Sequence, residues 1–125
     1  MRKFFAILVT LLLMGVSSSC TIEIGGDGDD SDFDGHWSIW DEEFLQFFAR
    51  KMDSFPEPFA TAVFTATSHH PYLIPEKYID RFQEGPLPIH KCVAYTDMAV
   101  RRFFETASSM PWYENTLFVI CADHT

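Results

Sequence analysis

Two short clusters in this chain carry residue types that do chemistry. Asp123 and His124 follow an apolar run, residues 117–121 (Leu-Phe-Val-Ile-Cys). A carboxylate oxygen and an imidazole nitrogen side by side suit a hard or borderline divalent ion. On an extended strand adjacent side chains point oppositely, so both reach one ion only if the chain bends there. The same pair would serve equally well to cap a following turn, and a closed metal site needs about four ligands. His69 and His70 follow a second β-forming run. A histidine at a strand end can hold an anionic group or move a proton near neutral pH, and an exposed loop pair is the plain alternative. A third pattern, Asp30-x-Asp32-x-Asp34-Gly35 with Ser38 and Asp41 at positions nine and twelve, imitates a calcium loop. The final ligand is Asp where Glu is usual. An acidic linker running into a helix start explains the same residues.

The elements that position these groups can be read from periodicity. Asp41, Glu42 and Glu43 open a helix, with Asp41 suited to the N-cap and acids favoured at the positive end of the dipole. Phe44, Phe47, Phe48 and Met52 recur at helical spacing as one apolar face, and Pro56 and Pro58 stop the helix. Phe59 to Thr67 is rich in β-formers without polar alternation, which predicts a strand buried on both faces. Ser68 to Pro88 is a long excursion containing Pro71, Pro75, Pro86 and Pro88, a length that marks a functional or disordered loop. Ile89 to Ser109 predicts the longest helix, with Cys92, Tyr95, Ala99, Phe103 and Ala107 on its stripe and Arg101, Arg102 and Glu105 off it. The apolar run 117–121 predicts a second strand. Strand, crossover helix and strand make a right-handed βαβ unit of an α/β fold with parallel strands. Sites in such sheets lie beyond the carboxyl ends of the strands, where both clusters fall.

The chain has 125 residues and a net charge of −9, enough for one domain at most. The charge argues against nucleic acid and against an electrostatic grip on anionic lipid. Met1, Arg2 and Lys3 precede an uncharged apolar stretch from Phe4 to Val16, then three serines and Cys20. Basic, apolar, then small is the order of an export signal, and the run is short for a membrane span. Residues 1–19 are therefore expected to be a signal peptide, with Cys20 a lipid attachment point or simply near the cleavage site of a secreted protein. Residues 20–35 are acidic and Gly-rich and read as a flexible linker, which leaves 36–125 as the folded part. Cys92 and Cys121 lie inside apolar patterns and read as buried thiols, although one bridge between them is compatible with export.

Taken together, three stretches carry a family resemblance. Asn115-Thr116-Leu117 followed by apolar residues and Asp123-His124 looks like the sulfatase-type branch of the alkaline phosphatase superfamily. The segments from Phe64 through Ser68-His69-His70-Pro71 to Tyr72, and from Pro111 to Thr116, resemble lipoteichoic-acid-synthase-like phosphoglycerol transferases more narrowly. The resemblance runs from about Asp32 to Thr125. It implies a partial alkaline-phosphatase-like α/β domain acting on anionic phosphate or sulfate esters outside the cytoplasm. It also implies a divalent metal, manganese in the transferases or calcium in sulfatases, held by Glu, a Thr nucleophile, Asp and His. Asp123 and His124 match the last two ligands, and His69 matches the histidine that contacts the transferred group. The family's Glu and Thr find no match in this sequence, and Thr125 stands where Gly usually follows the Asp-His pair. A formylglycine nucleophile would need Cys-x-Pro-x-Arg, but Cys20, Cys92 and Cys121 are followed by Thr-Ile, Val-Ala and Ala-Asp. The resemblance therefore implies an internal piece of a hydrolase or transferase domain with little activity alone. The alternative of another class is a non-catalytic exported surface lipoprotein, with or without calcium.

Overall fold

The computed structural model describes residues 32–36 and 38–122, so Asp123, His124, Cys20 and the expected signal segment lie outside the described residues. Two helices form the framework: α1, Asp41–Met52, and α2, Ile89–Ala107. Single 3-10 turns lie at Glu76–Tyr78 and Tyr113–Asn115.

Helix α1 carries three acids in its first turn and Arg50 and Lys51 in its last, each at the favourable end of the backbone dipole. Its buried stripe is Leu45, Phe48, Ala49 and Met52. That corrects the face expected from the phenylalanines: Phe44 and Phe47 are only half-buried, because Leu45 and Ala49 face the second helix. The expected N-cap also moves. Trp40 occupies that position without a side-chain cap, and Asp41 is the first helical residue.

Helix α2 follows its expected stripe. Cys92, Tyr95, Ala99, Phe103 and Ala107 are all buried, with Met98 beside them. Ala49, Ala99 and Ala107 are fully buried and let the helices approach closely, since a methyl group adds little width at the contact. The rings of Phe48 and Phe103 stack at 6.2 Å between centroids, and Trp112 closes the end of this core. Among the described residues no helix is long and apolar enough to cross a membrane.

The two expected strands are not strands among the described residues. Residues 59–66 and 117–122 run as irregular chain, and an isolated antiparallel bridge between Phe33 and Ile39 is the β-pairing described. The parallel βαβ unit is thus not formed there. A strand is stabilised by a hydrogen-bonded neighbour, and apolar residues on both of its faces need two covering layers. Here the helix pair covers one side only. Phe118 alone turns into the core, 5.0 Å from Phe104 and 5.4 Å from Tyr113 between centroids. Leu117, Val119 and Ile120 are 87%, 67% and 73% exposed.

A second, smaller cluster joins Tyr78, Tyr95 and Met98, with Ile74 and Phe82 against it. Glu42, buried at the start of α1, ties this cluster to both helices. Its Oε2 accepts from the Tyr78 hydroxyl at 2.7 Å, its Oε1 pairs with Arg102, and its backbone N–H donates to the Tyr95 hydroxyl at 3.2 Å. Arg102 also donates to the Tyr78 oxygen at 2.8 Å. Lys77 completes the network, 2.6 Å from Glu43 and 3.4 Å from Glu42. Burial opposes the charge on Lys77, but the hydrogen bond to Glu43 and the charges of Glu43, Tyr78 and Asp32 together outweigh it and hold the ammonium pKa above its ordinary value.

Burial, reinforced by the Glu43 and Asp41 carboxylates, pushes the Tyr95 hydroxyl far above the ordinary tyrosine pKa of 10.0. The unfolded chain then loses this proton at lower pH than the folded chain. The stabilisation is complete below pH 10.0 and declines as pH rises from there toward the folded pKa. Urea unfolding across this range should show stability falling in the alkaline limb, with Tyr95→Phe flattening the fall; parallel profiles for the two proteins would contradict it. In the larger cluster, Phe103→Ala is expected to cost about 3 kcal/mol by chemical denaturation, from lost transfer energy and an unfilled cavity.

Candidate functional site

Two segments line a shallow crevice: residues 34, 36 and 40, just before α1, and the loop 66–73. Its lining includes Asp34, His36, Trp40, Thr67, His69 and His70, and its volume is about 10 Å³. That is room for about one water, so a larger ligand would rest across the opening.

The first wall is a tight turn built by Asp34. Its Oδ1 accepts from the backbone N–H groups of His36 at 2.7 Å and Ser38 at 3.1 Å. Its Oδ2 accepts from the Ser38 hydroxyl at 2.6 Å. This is the local capping chemistry in which aspartate side chains compete for nearby backbone groups. Gly35 sits at φ +80°, a conformation that costs glycine little and other residues more. The turn is closed by Asp34 N–H to Ser38 O at 2.8 Å and Trp40 N–H to Asp32 O at 2.9 Å. Asp32 and Asp34, on the linker side of the expected boundary at residue 35, thus join this folded turn.

The opposite wall carries the histidines. His69 N–H donates to Ala66 O, and Tyr72 N–H donates to His69 O, both at 2.9 Å, so two turns follow one another with His69 shared between them. Both His69 and His70 are exposed. The His69 Nδ1 lies 3.0 Å from the His70 carbonyl oxygen. A carbonyl oxygen only accepts, so Nδ1 is the donor in this contact. The His70 ring packs edge-on to Tyr72 at 5.7 Å.

Asp41 joins the walls. It is 1% exposed. Its Oδ1 accepts from the N–H groups of Ala66 at 2.9 Å and Thr67 at 3.0 Å, and its Oδ2 accepts from the Thr96 hydroxyl on α2 at 2.6 Å. In return the Thr67 hydroxyl oxygen accepts from the Asp41 N–H at 3.1 Å. The helix cap absent at Trp40 is therefore supplied from a loop 26 residues away.

Of the residues singled out from sequence, His69 and His70 stand together at this crevice. Asp34, His36, Trp40 and Thr67 join them without having been picked for this place. The Asp34-Gly35 pair is a visible turn signal, but its partnership with the 66–73 loop is not written in local spacing. Among the described residues, no group of three or more His, Cys, Asp or Glu side chains is placed to hold a metal ion. Cys92 is buried and Cys121 exposed, and the two are not bridged. Burial raises the Cys92 thiol pKa and keeps it protonated. The expected buried thiol at Cys121 is corrected, because the run carrying it lies uncovered.

Residues 17–125 match the family described as Sulfatase. The lipoteichoic acid synthase-like protein YvgJ of Bacillus subtilis (strain 168) is 34% identical over 93 residues, covering 70% of this chain and 15% of that protein. The chain therefore spans a small part of that relative's length. No solved structure matches. A match over most of the chain, together with a relative at this identity, establishes that the chain belongs to the sulfatase family.

Proposed function

We propose that this chain supplies part of a metal-dependent centre that hydrolyses sulfuric or phosphoric esters or transfers a phosphoglycerol group. Its main support is the family match, which spans the His69 loop and the Asp123-His124 pair together. Sulfatases as a family act on anionic esters with a divalent metal. The relative's name favours the phosphoglycerol branch and a place in the cell envelope. The basic, apolar and small residues from Met1 to Cys20 suit export there, whether or not Cys20 carries lipid.

The donor chemistry fits the proposed metal. Asp123 and His124 offer one carboxylate and one imidazole, a set that manganese accepts and that calcium accepts less well because of the nitrogen. A bound divalent ion would screen the charge of the ester and activate a nucleophile. His69 is assigned to the anion. With Nδ1 hydrogen-bonded to the His70 carbonyl, a protonated Nε2 donates to a non-bridging oxygen of the ester and offsets charge on it. Two ligands fall short of the roughly four a metal centre needs, so these residues alone are expected to turn over little substrate.

Manganese titrated into the isotopically labelled chain should broaden the NMR signals of residues 117–125 selectively, and Asp123→Ala should abolish the effect. Broadening centred elsewhere, or unchanged in the variant, would remove the metal assignment. Manganese-dependent turnover of an aryl phosphate or sulfate ester, lost in Asp123→Ala, would contradict the low activity. The calcium-loop alternative is weakened by Asp41, whose two carboxylate oxygens are committed to Ala66, Thr67 and Thr96. Millimolar calcium should therefore leave the melting temperature unchanged within about 1 °C, since a ligand that does not bind the folded state cannot stabilise it.

A further inference from the structure

We propose that Asp41 is a positioning residue for the anion-contacting histidine: its buried carboxylate fixes the Ala66–His69 turn and through it the His69 ring. The proposal rests on the assignment of His69 to the anion and adds a residue that the anion does not touch.

The direction of the bonds carries the inference. An acid in the first turn of a helix ordinarily serves its own helix, by accepting from the exposed N–H groups there or by facing the dipole from solvent. Asp41 does neither with its oxygens. Oδ1 accepts from two successive amides of another segment, and Oδ2 is steadied by Thr96 from α2. The helix start is satisfied separately by the Thr67 hydroxyl. Thus Asp41 and Thr67 exchange bonds in both directions, which fixes the spacing between the helix end and the loop.

From there the path to the histidine is short. The Ala66 residue whose N–H is held also offers its carbonyl to the His69 N–H at 2.9 Å. Gripping Ala66 and Thr67 therefore sets the base of the turn that presents His69. The carboxylate and the Thr67 amide are shielded, with Asp41 and Thr67 each less than 5% exposed, so water cannot readily replace that bond; Ala66 is half-buried. His69 itself is exposed, and its ring stands on this anchored base.

The geometry also says which substitutions preserve the function. In Asp41→Asn the amide oxygen can accept from both Ala66 and Thr67, while the NH2 donates to Thr96 Oγ1. In Asp41→Glu the charge and acceptors remain, but the added methylene moves the oxygens and with them the loop. In Asp41→Ala the anchor is gone. Positioning errors of about 1 Å can weaken a binding or reacting geometry by large factors.

The test follows the His69 ring resonances of the full labelled chain during titration with inorganic phosphate, with helicity checked by circular dichroism. The wild-type ring should respond saturably. Asp41→Asn should keep the apparent affinity within about threefold, and Asp41→Glu, still helical, should weaken it about tenfold or more, as should Asp41→Ala. If Asp41→Ala does not fold, Asp41→Glu decides. A helical Asp41→Glu that binds phosphate like the wild type overturns the positioning role and leaves the His69 assignment standing. A wild-type chain whose His69 ring ignores phosphate overturns both. In His69→Ala the backbone amide resonances of residues 66–72 should no longer respond to phosphate, which separates this site from adventitious phosphate elsewhere.

Discussion

A carboxylate buried at the start of a helix holds this structure together. Removing Asp41 from water is costly for a charged group, and three charge-assisted hydrogen bonds offset that cost. The bonds reach outward to two other segments, so one side chain links α1, the histidine loop and α2. Its neighbour Glu42 repeats the arrangement on the adjacent face, where Tyr78, Arg102 and Lys77 surround it. The acidic first turn, which looks like ordinary dipole compensation, is therefore the point where the long 68–88 excursion is fastened to the helix pair.

The apolar groups do a different job. The Phe48–Phe103 stack and the three buried alanines bring the helices together without directing any loop. Hydrophobic burial is non-directional, so it supplies cohesion, while the acids determine where the loops sit. Phe118 adds the start of the C-terminal apolar run to this core, and the residues around it stay uncovered.

The helices were legible because their apolar residues repeat every three or four positions, and the stripe of α2 was correct residue by residue. The stripe of α1 was not, because six aromatic or aliphatic residues crowd its twelve positions and periodicity alone cannot rank them. The α/β expectation agrees with the family, but the described residues form no strand at 59–66 or 117–122: the runs at 59–67 and 117–121 carry the composition of buried strands, and pairing depends on partners that local sequence does not contain. At the crevice, His69 had been singled out by its motif, and the structure gives its place there rather than its role. The role of Asp41 was half visible, since an acid at a helix start is easily recognised, whereas its bonds to residues 66, 67 and 96 are contacts across 25 to 55 positions. Spacing arguments have no access to such contacts.

The coupling between Asp41 and the loop it holds is the interaction on which the rest depends. A double-mutant cycle with Asp41→Ala and Thr67→Val, read by urea unfolding, measures that coupling apart from the helix and core. The Thr67 hydroxyl caps the helix that carries Asp41, and Asp41 holds the Thr67 amide, so each substitution should alter what the other can still lose. The expected result is a coupling of about 1 kcal/mol or more, as found for groups sharing one hydrogen-bond network. Additivity within about 0.3 kcal/mol, the behaviour of independent sites, would contradict it.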